Sequence, residues 1–207
     1  MTNTTSTSEA AAFLSPVRLW ERAEILSSPC PVPAAGGVYG WWFRELPAPM
    51  DVSQCRVFEG QVLLYTGISP RRPPANGQPS SMQSLRSRIR THLRGNAEGS
   101  TLRKTLGCLL ADQLGIELRR VGSGKRMTFV AGEQKLSAWM ALHAHMAWIE
   151  RLHPGELEDY LIGTVDLPLN LQGNSHNPFH PQLTVARAAA VGRAKSLPVL
   201  PNPGVGG

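Results

Sequence analysis

A chain of 207 residues, 42% of them hydrophobic, is long enough for one domain that folds without staples. No run approaches the roughly 18–20 apolar residues of a membrane span. Cys30, Cys55 and Cys108 are an odd, scattered set without C-x-x-C spacing, which argues against a zinc knuckle and for reduced thiols in a cytoplasmic setting. The net charge of +6 is unevenly spread: Arg71 to Arg126 holds twelve Lys/Arg against three acids, the remainder nine against twelve. Such asymmetry suits a phosphate-backbone binder, although membrane-surface and plain soluble proteins also carry basic segments.

Residues 1–15, rich in Thr, Ser and Ala, are expected to be a disordered tail, with no positive n-region that would make them a signal peptide. Residues 16–190 read as a single domain, and 191–207 as a second disordered tail. Val17 to Ser27 has Leu19, Trp20, Ala23 and Leu26 at helical spacing. Gly37-Val38-Tyr39-Gly40-Trp41-Trp42-Phe43 is rich in β-branched and aromatic residues and reads as a strand with Tyr39, Trp41 and Phe43 on one face. Gln61 to Ile68 predicts its antiparallel neighbour, with Leu63, Tyr65 and Gly67 facing one way. The proline-rich stretch Ser69 to Pro79 is a stiff polar loop.

Leu85 to Arg94 is a basic helix. Leu85, Ile89 and Leu93 form its apolar stripe, and Arg86, Arg90 and Arg94 a separate cationic row. Arg88 and His92, four residues apart, sit together at the edge of that stripe. Ser100 caps a second helix, Thr101 to Leu114, with Arg103 and Lys104 expected on its outer side. Arg119 to Arg126 is a basic turn, Met127 to Val130 a short strand, and Gln134 to about Ala144 a helix built on Leu136, Trp139 and Met140. His145 to Leu152 reads as a third strand of the sheet, with a continuing helix as the alternative. Pro154 to Ile162 is a helix whose apolar arc of Leu157, Leu161 and Ile162 includes Glu158, while Glu156 and Asp159 point away. An ionised acid facing inward needs an arginine or a metal ion. A last helix spans about Leu183 to Ala190.

Gly37-Val38-Tyr39 and Tyr65-Thr66-Gly67, one strand apart, resemble the two signature tripeptides of the GIY-YIG nuclease superfamily, with Val38 and Thr66 standing for its isoleucines. Arg88, three residues after Leu85, matches the family's helix arginine, and His92 the histidine of its restriction- and homing-type branches. Glu158 in Leu157-Glu158-Asp159 matches the metal-binding glutamate and Asn170 in Pro168-Leu169-Asn170 the asparagine that follows. Against that pattern the stretch between His92 and Glu158 is long, which implies a helical insertion at about 97–144 and is the main departure.

The resemblance implies an α+β fold, a small antiparallel three-stranded sheet flanked by helices. It also implies a metal-dependent endonuclease that hydrolyses phosphodiester bonds in DNA, with RNA the other candidate polymer. Glu158 would hold one Mg²⁺ or Mn²⁺, Arg88 would offer its planar fork to the phosphate, and Tyr39 would take the proton of the attacking water. Tyr65 and His92 would assist, and Asn170 would fix the site. Arg86, Arg90, Arg94, Arg103, Lys104, Lys125 and Arg126 are the expected phosphate-backbone contacts. The rival is a catalytically inactive nucleic-acid-binding module on the same fold, and the chain is expected to be a monomer or homodimer without membrane association. His176 and His180, with a proline between them, read as loop residues rather than zinc ligands.

Overall fold

The computed structural model describes residues 3–72 and 83–202. In chain order the elements are α1 (Asn3–Leu14), α2 (Arg22–Ile25), β1 (Gly37–Phe43), β2 (Val57–Phe58), β3 (Gln61–Ser69), α3 (Leu85–Arg94) and α4 (Thr101–Leu109). There follow α5 (Ala111–Leu114), β4 (Arg119–Val121), β5 (Arg126–Thr128), α6 (Gly132–His143), β6 (Ala144–Glu150), α7 (Gly155–Thr164) and α8 (His180–Ser196).

The fold is α+β. Its main sheet is antiparallel with order β2-β3-β1-β6, the expected three strands plus the two-residue β2 at the edge. Every residue of β1 is buried, because this strand is central and both of its faces are covered. Tyr39, Trp41 and Phe43 join a core with α3, α4 and α6, while Val38 and Trp42 face α1 and α7. The β6 reading holds: His143 ends α6, and the chain enters the strand directly at Ala144.

The alternation along β3 does not run as expected. Trp41 pairs with Tyr65 but Trp42 pairs with Leu63, so Leu64 is the extra residue of a bulge. A bulge shifts the side-chain period by one. Leu64 and Tyr65 therefore share the face of the α3 core, and Leu63 is turned to the α1 and α7 side.

Both tails are corrected for the most part. The opening segment forms α1, whose Ala10 and Phe13 are buried against the sheet beside Trp42 and Leu63. Burying one aromatic ring contributes about 1.5–3 kcal/mol, which the residue composition of this segment conceals. At the other end α8 runs to Ser196, six residues past the expected limit. Leu200 then bridges Val121, and Arg120 donates to the carbonyls of Ala194 and Leu197. Residues 203–207, and 73–79 of the proline-rich loop, lie outside the described residues.

Smaller differences have local causes. The helix expected over 17–27 shortens to α2 because Trp20 bridges Met146 of β6. Pro154 precedes α7 as its cap rather than opening it, and Gly163 lies inside the helix. The insertion holds α4, α5, the β4–β5 hairpin and α6. Among the described residues no helix is long and apolar enough to cross a membrane, and the three cysteines are free thiols.

Candidate active site

The site begins with two glycines. A Cβ on Gly37 would stand 2.1 Å from the Ile149 carbonyl and 2.7 Å from Leu85, so only glycine lets α3 and β6 close on the start of β1. Gly67 lies opposite Tyr39 across the β1–β3 pair. A Cβ there would stand 2.6 Å from the Tyr39 hydroxyl, so the ring lies over bare backbone. Each tripeptide thus has a steric reason for its glycine.

From that position the Tyr39 hydroxyl meets α3. It lies 2.8 Å from His92 Nε2 and accepts from Arg88 Nε at 3.3 Å. The other ring nitrogen, His92 Nδ1, lies 2.6 Å from the hydroxyl of Ser100, the residue that caps α4 by accepting from the Arg103 amide. Trp41 and Tyr65 present their edges or faces to the same imidazole. Burial and the nearby cations Arg88, Arg71 and Arg103 hold His92 well below the ordinary histidine range, so the ring is neutral. Burial raises the Tyr39 phenol against the opposing pull of Arg88, and burial with its neighbour Tyr39 raises Tyr65.

Tyr39, Tyr65, Arg88, Glu158 and Asn170 all line one cleft of about 850 Å³. Glu158 reaches it from α7, on the opposite side of the sheet from α3, and its side chain is 16% exposed against 67% for Asp159 and 64% for Glu156. Glu158 is thus the acid of the three that turns inward, as its place in the apolar arc of the helix predicts. Its partner is Arg72, at 3.3 Å, which also donates to Asp159 and to the Gly155 carbonyl. Burial pushes the Glu158 carboxyl up, and Arg72 pulls it back.

Asn170 does not point its amide at the reacting groups. Its Oδ1 accepts from the Thr66 amide and its Nδ2 donates to the Thr66 carbonyl, both at 2.9 Å. One carboxamide thereby satisfies two backbone groups of β3 beside Tyr65, which would otherwise be costly at a buried position.

A divalent ion fits this donor set in one way. Among the described residues no three His, Cys, Asp or Glu side chains converge as a metal group. Glu158 with Asp159 on the cleft wall suits a hydrated Mg²⁺, which prefers one or two carboxylates with water and phosphate oxygens. The competing Arg72 side chain is 47% exposed against 16% for Glu158, so solvent screens the pair from the arginine side and weakens its hold.

The cationic contacts divide. Arg94, Lys125 and Arg126 are exposed, while Arg90 and Lys104 are half-buried. Arg86 donates to the Val32 carbonyl and is not free in solvent as expected. Arg103 is a clear correction: it is fully buried and donates through Nε and Nη2 to Glu133 at 3.0 and 2.7 Å, and through Nη1 to the His92 carbonyl. Its position on α4 faces α6 once the insertion folds back, which a single helix cannot reveal. His176 and His180 join no metal group.

Sequence reasoning missed Arg71, Arg72, Ser100 and Arg187 as site residues. Arg72 stands at the start of a proline-rich stretch with no periodicity, and Ser100 in the sequence signals only a helix cap. Arg187 is a lone cation in the otherwise small and apolar run Val185 to Ala190, the one signal that was available.

Comparison with curated proteins and with solved structures gives no match. The family model for the GIY-YIG catalytic domain matches residues 37–189, which takes in every residue that lines the cleft. By that match over most of its length, the chain belongs to the GIY-YIG family, the catalytic domain of a superfamily of nucleases.

Proposed function

We propose that the chain is a divalent-metal-dependent endonuclease that hydrolyses phosphodiester bonds in DNA, with Tyr39, Tyr65, Arg88, His92 and Glu158 at the reacting centre and Asn170 as a positioning residue. The observation that carries this reading is the contact of the Tyr39 hydroxyl with both His92 and Arg88 at the wall of the cleft that Glu158 also lines.

Hydrolysis needs a deprotonated water, in-line approach and neutralisation of the charge that builds on the phosphate. A water proton passes to the Tyr39 oxygen as the phenolic proton passes to His92 Nε2, with His92 Nδ1–H donating to Ser100 to set that tautomer. In the free protein this transfer is uphill, since burial raises Tyr39 and lowers His92. Burial is the larger cause of the low His92 and the Arg88 charge a smaller one, so a bound phosphate that offsets Arg88 makes this transfer less uphill. Arg88, held by the Gly99 carbonyl at 3.0 Å, offers its remaining donors to the non-bridging oxygens. Tyr65 orients the water or the phosphate. Glu158, with Asp159 beside it, would hold one Mg²⁺ or Mn²⁺, which when bound stabilises charge on the phosphate and leaving oxygen.

Nicking of supercoiled plasmid with Mg²⁺ or Mn²⁺, wild type against Glu158→Ala, tests the reading. Metal-dependent nicking lost in the variant is the expected result. Tight binding without nicking by the wild type on DNA or RNA would make the chain an idle binding module instead.

A further inference from the structure

The cleft carries more positive charge than one phosphate needs. Arg71, Arg72, Arg88 and Arg187 line it, against Glu158 and Asp159. Arg72 is bonded to both acids. Among the described residues the other three meet no carboxylate: Arg71 and Arg88 both donate to the Gly99 carbonyl, at 3.4 and 3.0 Å, and Arg187 donates to the Thr105 hydroxyl at 2.8 Å.

Two like charges gathered on one carbonyl oxygen make an anion site, and its place beside Tyr39 makes it the one for the reacting phosphate. Arg187 is different. It comes from α8, which packs on α4, and its guanidinium is aimed by a buried threonine of that helix. Tyr65 and Thr101 of α4 line the same cleft, and Lys104 precedes Thr105 on that helix. A half-buried arginine with no acid partner loses hydration without recovering it inside the protein, which an incoming anion would correct.

We propose that Arg187, held by Thr105, forms a second phosphate subsite in the cleft, which binds a non-scissile phosphate of the strand being cut, with Lys104 further along the same track. The C-terminal helix is then part of the substrate-binding wall. The proposal rests on the nuclease reading only for which phosphate is the scissile one; the subsite itself is a matter of binding.

Affinity for a labelled oligonucleotide, single-stranded and duplex, measured against salt in the full chain tests it. Each phosphate contact removed lowers the slope of log K against log [salt] by about 0.9 for duplex and about 0.7 for a single strand. Arg187→Gln is expected to lower the slope by that amount and to weaken binding by roughly tenfold, with Thr105→Val giving a smaller loss and Arg187→Lys a partial rescue. A methylphosphonate linkage next to the cleaved bond should weaken the wild type and leave Arg187→Gln unaffected. An unchanged slope in a variant that melts like the wild type overturns the subsite, and so does a methylphosphonate effect equal in both proteins. Should Arg187→Gln fold poorly, Thr105→Val and the methylphosphonate scan of the wild type decide: no loss in either overturns it. Slope loss without any cleavage by the wild type would keep the subsite and remove the nuclease, whereas cleavage without slope loss would do the reverse.

Discussion

Arg88 on α3 and Arg103 on α4 are both buried, and each donates to a backbone carbonyl of the neighbouring segment. They differ in whether a carboxylate meets them. Arg103 is closed off by Glu133, which also accepts from the Ala97 and Phe129 amides, so the charges and the loop ends of the insertion are satisfied together. Arg88 meets a phenol and a carbonyl, and one side of it opens on the cleft. Burial of an arginine is therefore uninformative by itself. What sets Arg88 apart from Arg103 is the absence of an acid within reach together with a place on the cleft wall.

Variants can break or sharpen this contrast. The largest effect is expected from Glu158→Gln, which should reduce cleavage by about 10³-fold or more, of order 4 kcal/mol of barrier, with folding retained; wild-type rates would remove the acid from the centre. Arg103→Met should leave Glu133 buried without a counter-ion and cost about 3–5 kcal/mol of stability by denaturant titration, while activity per folded molecule should fall far less than in Glu158→Gln. Arg88→Lys should invert that pattern. Cleavage falls by about 10²-fold because an ammonium cannot replace the planar fork, and the melting temperature changes little. Asn170→Ala, which leaves the Thr66 amide and carbonyl without their partner, should cost about 1–3 kcal/mol, read as a lower melting temperature.

The smallest effect concerns pH. His92 titrates lower in the folded protein than in the unfolded chain, so below about pH 6.5 the unfolded state binds more protons and stability falls as pH drops through that window. His145, also lowered by burial, adds to the same limb. Melting temperature against pH should therefore be flatter below pH 6.5 in His92→Gln than in the wild type, and an identical slope would place a charged imidazole in the native site.

Much of this site was legible because its determinants are local. The i, i+4 spacing of Arg88 and His92 and the wheel position of Glu158 follow from helix geometry alone, and the alternation of β1 fixes the face of Tyr39. Leu63 departs from the simple alternation of β3 because a bulge depends on how two strands pair, which neither strand encodes alone.

What the chain alone determined, then, is the strands and helices that carry the site, the two tyrosines with their glycines and the family pattern. Only the tertiary structure decided which charges are spent. Arg103 meets Glu133 thirty residues away, Ser100 meets His92 across a turn, and Arg187 returns from α8 to the cleft. The physical reason is that local periodicity sets which way a side chain points, whereas an ion pair or an open cation is settled by whatever distant segment packs opposite it.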